Sequence, residues 1–472
     1  MKNFLFYSIL VALVGSSTLI SSCKKLKGLS KGNLEFSNDT VVFDTIFTTI
    51  GSTTKQFKIY NKDNKELTID EVELVGGSAS PFRLNLDGLT GTEFSNLKVE
   101  GGDSLYCFVE VTLGQNGQNL PLVVEDSIRF QTNGVDQYVK LAVWGQDMYY
   151  HYSNFGTGTL DTNEGTWPND KPHVIYGAAI VDSAKTLNIQ AGTQIYMHKN
   201  SILYNYKGTL NINGAYQNEV VIQGDRLEAD YDNVSGQYYG VYYHQSRPST
   251  IDYAIIKNST AGIHVFGKDE SFAGPNVTIK NTKISNAASY GLFLFDGPEV
   301  TAENTLVHSN GVHALIVLQG ADFVFTHCDF LGYGAGDYTS PAVGIRNHYT
   351  DGSGTTTIGQ INQGEFRNCV IYGYGEDQLA FDTLQPGGVN INIDFRNCLL
   401  KTTLSQSSTL FHSCLYNGNP AFSSIGEKNF DFTSAGSVMN GAASILYPTS
   451  DGEDIDGNLR NSPGDIGCYE GP

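Results

Sequence analysis

Arg346, His348 and Asp382 are the residues whose types could carry acid–base chemistry on a bound ligand. An arginine can neutralise an acidic sugar, a histidine can abstract a proton, and a carboxylate can orient the base. They are the last members of a column of short runs, each a small residue followed by an aliphatic one. The runs are Gly240-Val241-Tyr242-Tyr243-His244, Gly262-Ile263-His264-Val265-Phe266 and Gly291-Leu292-Phe293-Leu294-Phe295. Ala314-Leu315-Ile316-Val317-Leu318, Gly344-Ile345-Arg346-Asn347-His348 and Leu379-Ala380-Phe381-Asp382 continue it. If the aliphatic residue points inward, the next residue and the one two further point outward. The outward pairs are then Tyr242/His244, His264/Phe266, Phe293/Phe295, Ile316/Leu318, Arg346/His348 and Ala380/Asp382. An outer face should be polar, so an aromatic stripe flanked by His, Arg and Asp is expected to bind a ligand or to be covered by a loop or another domain. Tyr242, His244, His264, Phe266, Phe293 and Phe295 are the expected ligand-binding residues, with aromatic rings stacking on sugar faces.

Other chemistry is sparse. Seven cysteines show no C-x-x-C pair and no His pair at ligand spacing, so no metal site is expected. The run Asp451-Gly452-Glu453-Asp454-Ile455-Asp456-Gly457 could offer oxygens to Ca²⁺ but lacks EF-hand spacing, and a solvated loop is the expectation. No other cofactor is expected.

The elements that position these residues repeat. Phe-x-x-Cys recurs as Phe325-Thr326-His327-Cys328, Phe366-Arg367-Asn368-Cys369, Phe395-Arg396-Asn397-Cys398 and Phe411-His412-Ser413-Cys414. Asn281-Thr282 and Asn304-Thr305 keep the same polar position, 23 residues apart, as is His327 from Asn304. Periods of 20–30 residues signal a solenoid, and about 23 suits one turn of a three-faced parallel β-helix. Thr282, Thr305, Cys328, Cys369 and Cys398 then fill one inward column. Asn281, Asn304, Asn368 and Asn397 mark a bend, where Asn tolerates the left-handed conformation. Later steps of 41 and 29 residues imply loops inserted on one face, as between Gly332 and Gly364.

The chain has 472 residues, 49 acidic against 29 basic side chains, and a net charge of −20. That balance argues against a nucleic-acid partner, which needs clustered Lys and Arg. Gly-rich, aromatic-rich and charge-poor composition favours short strands joined by tight turns. At the start, Lys2 precedes an apolar run from Phe4 to Leu19 that ends at Leu19-Ile20-Ser21-Ser22-Cys23. This resembles the signal peptide and lipobox of bacterial lipoproteins. The resemblance implies cleavage before Cys23, its acylation, and a membrane lipid as partner in the cell envelope. An outer-membrane lipoprotein is expected, with the leaflet open. Lys24, Lys25, Lys27 and Lys31 lie in the tether that follows.

From Leu34 to Asp147 the pattern alternates in short runs, such as Lys55–Tyr60, Tyr106–Val111 and Tyr138–Val143. Six or seven such strands read as a β-sandwich. The order of Gly51-Ser52, Asn61, Pro81-Phe82 before a loop, Gly102-Asp103-Ser104 and Trp144-Gly145 resembles immunoglobulin-like modules of the ASPM/SPD-2/Hydin type. Cys107 is expected as a buried free thiol.

Residues 174–226, with Val174-Ile175-Tyr176-Gly177, Leu187-Asn188-Ile189-Gln190-Ala191-Gly192-Thr193 and Val220-Val221-Ile222-Gln223-Gly224-Asp225-Arg226, resemble the opening turns of right-handed parallel β-helix proteins related to pectate lyases. Asp456-Gly457-Asn458-Leu459-Arg460 before Asp465-Ile466-Gly467-Cys468-Tyr469-Glu470 resembles the closing segment of secreted members. The galacturonase-like motifs Asn-Thr-Asp, Asp-Asp, Gly-His-Gly and Arg-Ile-Lys are absent. The expected organisation is all-β: signal peptide 1–22, tether 23–33, Ig-like β-sandwich 34–147, linker or cap 148–172 and right-handed parallel β-helix solenoid 173–472. The leading expectation is a non-catalytic glycan-binding, adhesive or scaffold module. The alternative is a polysaccharide lyase or glycoside hydrolase acting on an acidic polysaccharide through Arg346, His348 and Asp382.

Overall fold

The computed structural model describes residues 30–115, 122–154, 156–334, 340–406, 409–432 and 436–471. The leader and Cys23 lie outside these residues. Two compact units divide between Asp147 and Met148.

The first unit is a β-sandwich of two five-stranded sheets. Alternation drives it: in Val135–Gln146, Val139, Leu141 and Val143 are buried while Tyr138, Lys140 and Trp144 are exposed. This strand pairs antiparallel with Leu122–Thr132 and parallel with Thr40–Phe47. Phe43, Phe57, Phe82 and Phe130 fill the space between the sheets. The stretch after Pro81-Phe82, expected as a loop, supplies the strands Phe82–Leu86 and Glu93–Val99. Their alternation (Phe82, Leu84, Leu86 buried) holds despite the polar residues between. Asn61 is buried at a turn, and its amide donates to the Lys65 and Val99 carbonyls at 2.7 and 2.9 Å. Cys107 is a buried free thiol, pushed up to about 12 by burial.

The second unit is a right-handed parallel β-helix. Its three sheets have eleven, ten and eight described strands, each paired in parallel with the strands of adjacent turns. The cause is visible in one turn. Val277–Lys280 lies in the ten-stranded sheet and Lys283–Ser285 in the eleven-stranded one, so Asn281-Thr282 makes the corner. Asn281, Asn304, His327, Asn368 and Asn397 all hold left-handed backbone, with φ of 46°, 44°, 50°, 53° and 54°. Their side chains bond along the axis: Asn304 donates to Asn281 Oδ1 at 3.1 Å, and Asn368 to His327 Nε2 at 3.0 Å. The next column turns inward. Thr282, Thr305, Cys328, Cys369 and Cys398 have no exposed surface, and Thr282 and Cys328 each donate to the carbonyl two residues before.

The first turn and one side of this unit are covered. Residues 148–172 supply first strands: Tyr149–Tyr152 pairs with His173–Tyr176, and Gly165–Trp167 with Leu187–Ile189. Trp167 closes the core there, stacked on His151 and His173 at 4.2 and 4.4 Å. The described residues of 419–432 and 436–471 fold back on the outer face of the eleven-stranded sheet. Phe430, Phe432, Met439 and Ile466 cover Leu306, Leu331, Val370 and Leu399. The Asp451–Gly457 run belongs to this cover. Asp454, expected in a solvated loop, is fully buried. Its carboxylate accepts backbone N–H groups of Asp456, Asn458 and Glu470 at 2.7–2.9 Å. Among the described residues no cluster of three or more His, Cys, Asp or Glu is placed to hold a metal ion.

Candidate ligand-binding face

The aromatic stripe lies on the outer face of the eight-stranded sheet. Register aligns Val241, Ile263, Leu292, Leu315, Val343 and Leu379 as the inward column. The first outward row is Tyr204, Tyr242, His264, Phe293, Ile316, Gly344 and Ala380. The second is Tyr206, His244, Phe266, Phe295, Leu318 and, on the next two turns, Arg346 and Asp382.

The copy at Gly344 is shifted from the expected alignment. Ile316 pairs with Gly344 and Val317 with Ile345, so Ala342 takes the small position. Ala342-Val343 and Gly344-Ile345 both read as small-then-aliphatic, and only the strand register separates them. His348 therefore leaves this face. It begins an antiparallel hairpin, His348–Thr350 with Thr356–Ile358.

The two rows differ in what they offer a ligand. In the first, the His264 ring lies 4.3 Å from Tyr242 and 4.2 Å from Phe293, at interplanar angles of 7° and 14°. Neighbouring strands are about 4.8 Å apart, so in-register rings stack on each other. Their faces are occupied, and His264 is only 6% exposed. Burial lowers its pKa to about 3, so it is neutral, bonded to the Tyr239 hydroxyl at 2.8 Å. In the second row the rings are tilted: His244 and Phe266 at 57°, Phe266 and Phe295 at 76°. These rings do not cover one another and are half-buried. The hairpin contributes Tyr349, edge-on to Phe295 at 5.2 Å.

Arg346, His348 and Asp382 do converge, although from three different strands. Arg346 Nη2 is 2.8 Å from Asp382 Oδ2, and His348 Nε2 is 3.1 Å from Oδ1. The His348 hydrogen bond, then the Arg346 guanidinium, hold the Asp382 carboxyl below its ordinary value. Such a carboxylate keeps its charge at neutral pH. It suits holding a base or a cation rather than donating a proton to a leaving group.

Sequence reasoning missed Tyr204 and Tyr206, which extend the rows by one turn. The alternation in Ile202-Leu203-Tyr204-Asn205-Tyr206 was the signal available. It also missed the relay at the first turn, where His151 Nδ1 meets Asp161 at 2.9 Å and Nε2 meets His173 Nδ1 at 2.9 Å.

Packing on this face makes one expectation measurable. Leu292→Ala should cost about 3 kcal/mol, because Leu292 is fully enclosed in the core. Phe293→Ala should cost less, since Phe293 is only partly buried on the outer face. Thermal midpoints of the two variants, compared with the parent, check the order.

The family described as right handed beta helix region matches residues 220–338 and 271–444. No curated protein matches the sequence. Among solved structures, a family 123 glycoside hydrolase from Clostridium perfringens is 6% identical at TM-score 0.18, over 25% of this chain and 30% of its own. This chain thus spans under a third of that enzyme's length. The ASH/PapD-like domain of human CEP192 is 11% identical at TM-score 0.16, over 24% of this chain and 84% of its own. The catalytic unit of a GH87 alpha-1,3-glucanase from Streptomyces thermodiastaticus is 9% identical at TM-score 0.26, over 76% and 75%. At TM-scores this low, none of the three bears on what this chain does. The family match and the three parallel sheets agree on one statement: the chain carries a right-handed parallel β-helix domain.

Proposed function

We propose that this protein is a lipid-anchored cell-envelope module whose β-helix binds a glycan on its eight-stranded face without cleaving it. The anchor would be acylated Cys23, and the sandwich an Ig-like spacer between membrane and β-helix. The observation that carries the reading is the second outward row. His244, Phe266 and Phe295 occupy successive turns with half-buried rings that are tilted against one another along the row rather than stacked. Aromatic faces at a regular spacing suit a linear chain of sugar rings. The first row acts as the rigid floor of that track.

The second reading is a polysaccharide lyase or glycoside hydrolase on an acidic polysaccharide. What favours it is the convergence of Arg346, His348 and Asp382. One experiment separates the two. The protein is offered neutral and acidic polysaccharides, with and without Ca²⁺, and both retention and release of reducing or unsaturated ends are measured. Retention without product is expected, weakened about tenfold or more by Phe266→Ala or Phe295→Ala. Turnover abolished by Arg346→Ala or His348→Ala would make the protein an enzyme. Retention untouched by both Phe variants would reject the face.

A further inference from the structure

The cysteine column of the β-helix ends in a geometry suited to covalent chemistry. Arg396 pairs with His412 and Leu399 with Leu415, so Cys398 and Cys414 stand opposite each other on adjacent turns. The same register sets Cys369 opposite Cys398, and Cys328 opposite Cys369. Adjacent strands lie about 4.8 Å apart, within the roughly 4.4–6.8 Å between Cα atoms that a disulfide accepts. All four are free thiols.

Access distinguishes them. Cys328, Cys369 and Cys398 are fully buried, whereas Cys414 on the last turn is half-buried. The Cys398 thiol bonds the Phe366 and Arg396 carbonyls at 3.4 Å, and the Cys414 thiol bonds the Phe395 carbonyl at 3.3 Å. Cys398 also lies within hydrogen-bonding reach of Cys414. Burial pushes the three enclosed thiols well up, so none of them is the first to meet an incoming disulfide; Cys398 can react only with the Cys414 sulfur opposite it. Cys414 is shifted down, first by the hydrogen bond from Cys398.

We propose that Cys414 is a thiol-modification site for small-molecule disulfides, with Cys398 as its resolving partner. The Cys414 thiolate attacks one sulfur of the incoming disulfide, forming a mixed disulfide and releasing one thiolate. Cys398 then attacks the Cys414 sulfur, and its proton leaves with the second released thiol. One disulfide and two protein thiols become one protein disulfide and two small thiols, so electrons and protons balance. The product ties the last turn to the one before it, at the end of the helix where pairing stops. Cys369 and Cys328 would stay reduced.

The test uses the full reduced protein, oxidised glutathione as the probe, and peptide mapping without reductant. A Cys398–Cys414 cross-linked peptide is expected in the parent protein. Cys398→Ser should leave glutathione attached to Cys414, and Cys414→Ser should leave Cys328, Cys369 and Cys398 unmodified. A second measurement needs no variant: in the native protein, iodoacetamide should label Cys414 at least tenfold faster than Cys369. Equal labelling rates would overturn the proposal. So would a glutathione adduct that persists on Cys414 in the parent without a cross-link.

Discussion

Arg460→Ala should destabilise the β-helix by about 3–5 kcal/mol, the range for removing one partner of a buried ion pair. Arg460 is the pin of the closing segment. Its side chain is 6% exposed and its Nη2 donates to Asn304 Oδ1 at 2.8 Å and to the Gly467 carbonyl at 2.9 Å. Nη1 donates to the Asp465 carbonyl at 3.3 Å and lies 3.6 Å from the Glu470 carboxylate. The alanine variant leaves Glu470 buried without its cation, held only by the N–H groups of Asn461 and Asp465. It also removes the bond to Asn304, which is stacked in the corner ladder. Lysine should not rescue it, because an ammonium cannot span four acceptors in a plane as the guanidinium does. The loosened segment would uncover Leu306, Leu331, Val370 and Leu399. The expected result is a lowered thermal midpoint together with increased binding of a hydrophobic dye before unfolding. A midpoint within about 1 kcal/mol of the parent, with no dye signal, would mean that Arg460 is not the pin.

How much of this was legible in the sequence follows from distance along the chain. The corners were legible because Asn281, Asn304 and His327 recur at one interval, and the inward Thr/Cys column follows them directly. The outward face was read from a second column, in which a small residue precedes an aliphatic one on each turn. Register was legible only where the interval held. Inserted residues before Ala342 broke it, and a two-residue slip then put His348 on the face instead of in the hairpin. Ring orientation was not legible at all. Whether Tyr242, His264 and Phe293 show faces or edges depends on strand spacing and side-chain torsions, which no run of residues encodes. The clasp was equally hidden. The closing residues were recognisable as a pattern, but the partner of Arg460 lies 156 residues earlier, at Asn304. The buried role of Asp454 was hidden for the same reason, since an acidic run read alone looks solvated.

Asp329→Asn should flatten the pH dependence of stability between about pH 4 and 7. Asp329 is 1% exposed, and burial raises its pKa from 3.8 to about 7. Three groups face it. The Cys468 backbone N–H bonds Oδ1 at 3.0 Å, the Cys468 thiol meets Oδ2 at 3.3 Å, and the Arg460 charge pulls the pKa back down. His327, also in this pocket, is kept neutral by burial down to about 3, so it titrates below the window. The sign follows from linkage. Above pH 4 the unfolded chain has released the Asp329 proton while the folded chain still holds it, so stability falls as pH rises. The fall is complete above pH 7 and amounts to on the order of 4 kcal/mol, at 1.36 kcal/mol per unit of pKa. Asparagine is neutral throughout and can still accept the Cys468 N–H. The variant should therefore gain on the parent steadily from about pH 4 to pH 7, level off above that, and match or exceed it at the upper end. Thermal midpoints of both proteins across that range measure the gain. Two curves that run parallel would show that the Asp329 carboxyl is already ionised in the folded protein at pH 5, and that the Arg460 charge outweighs burial in its pocket.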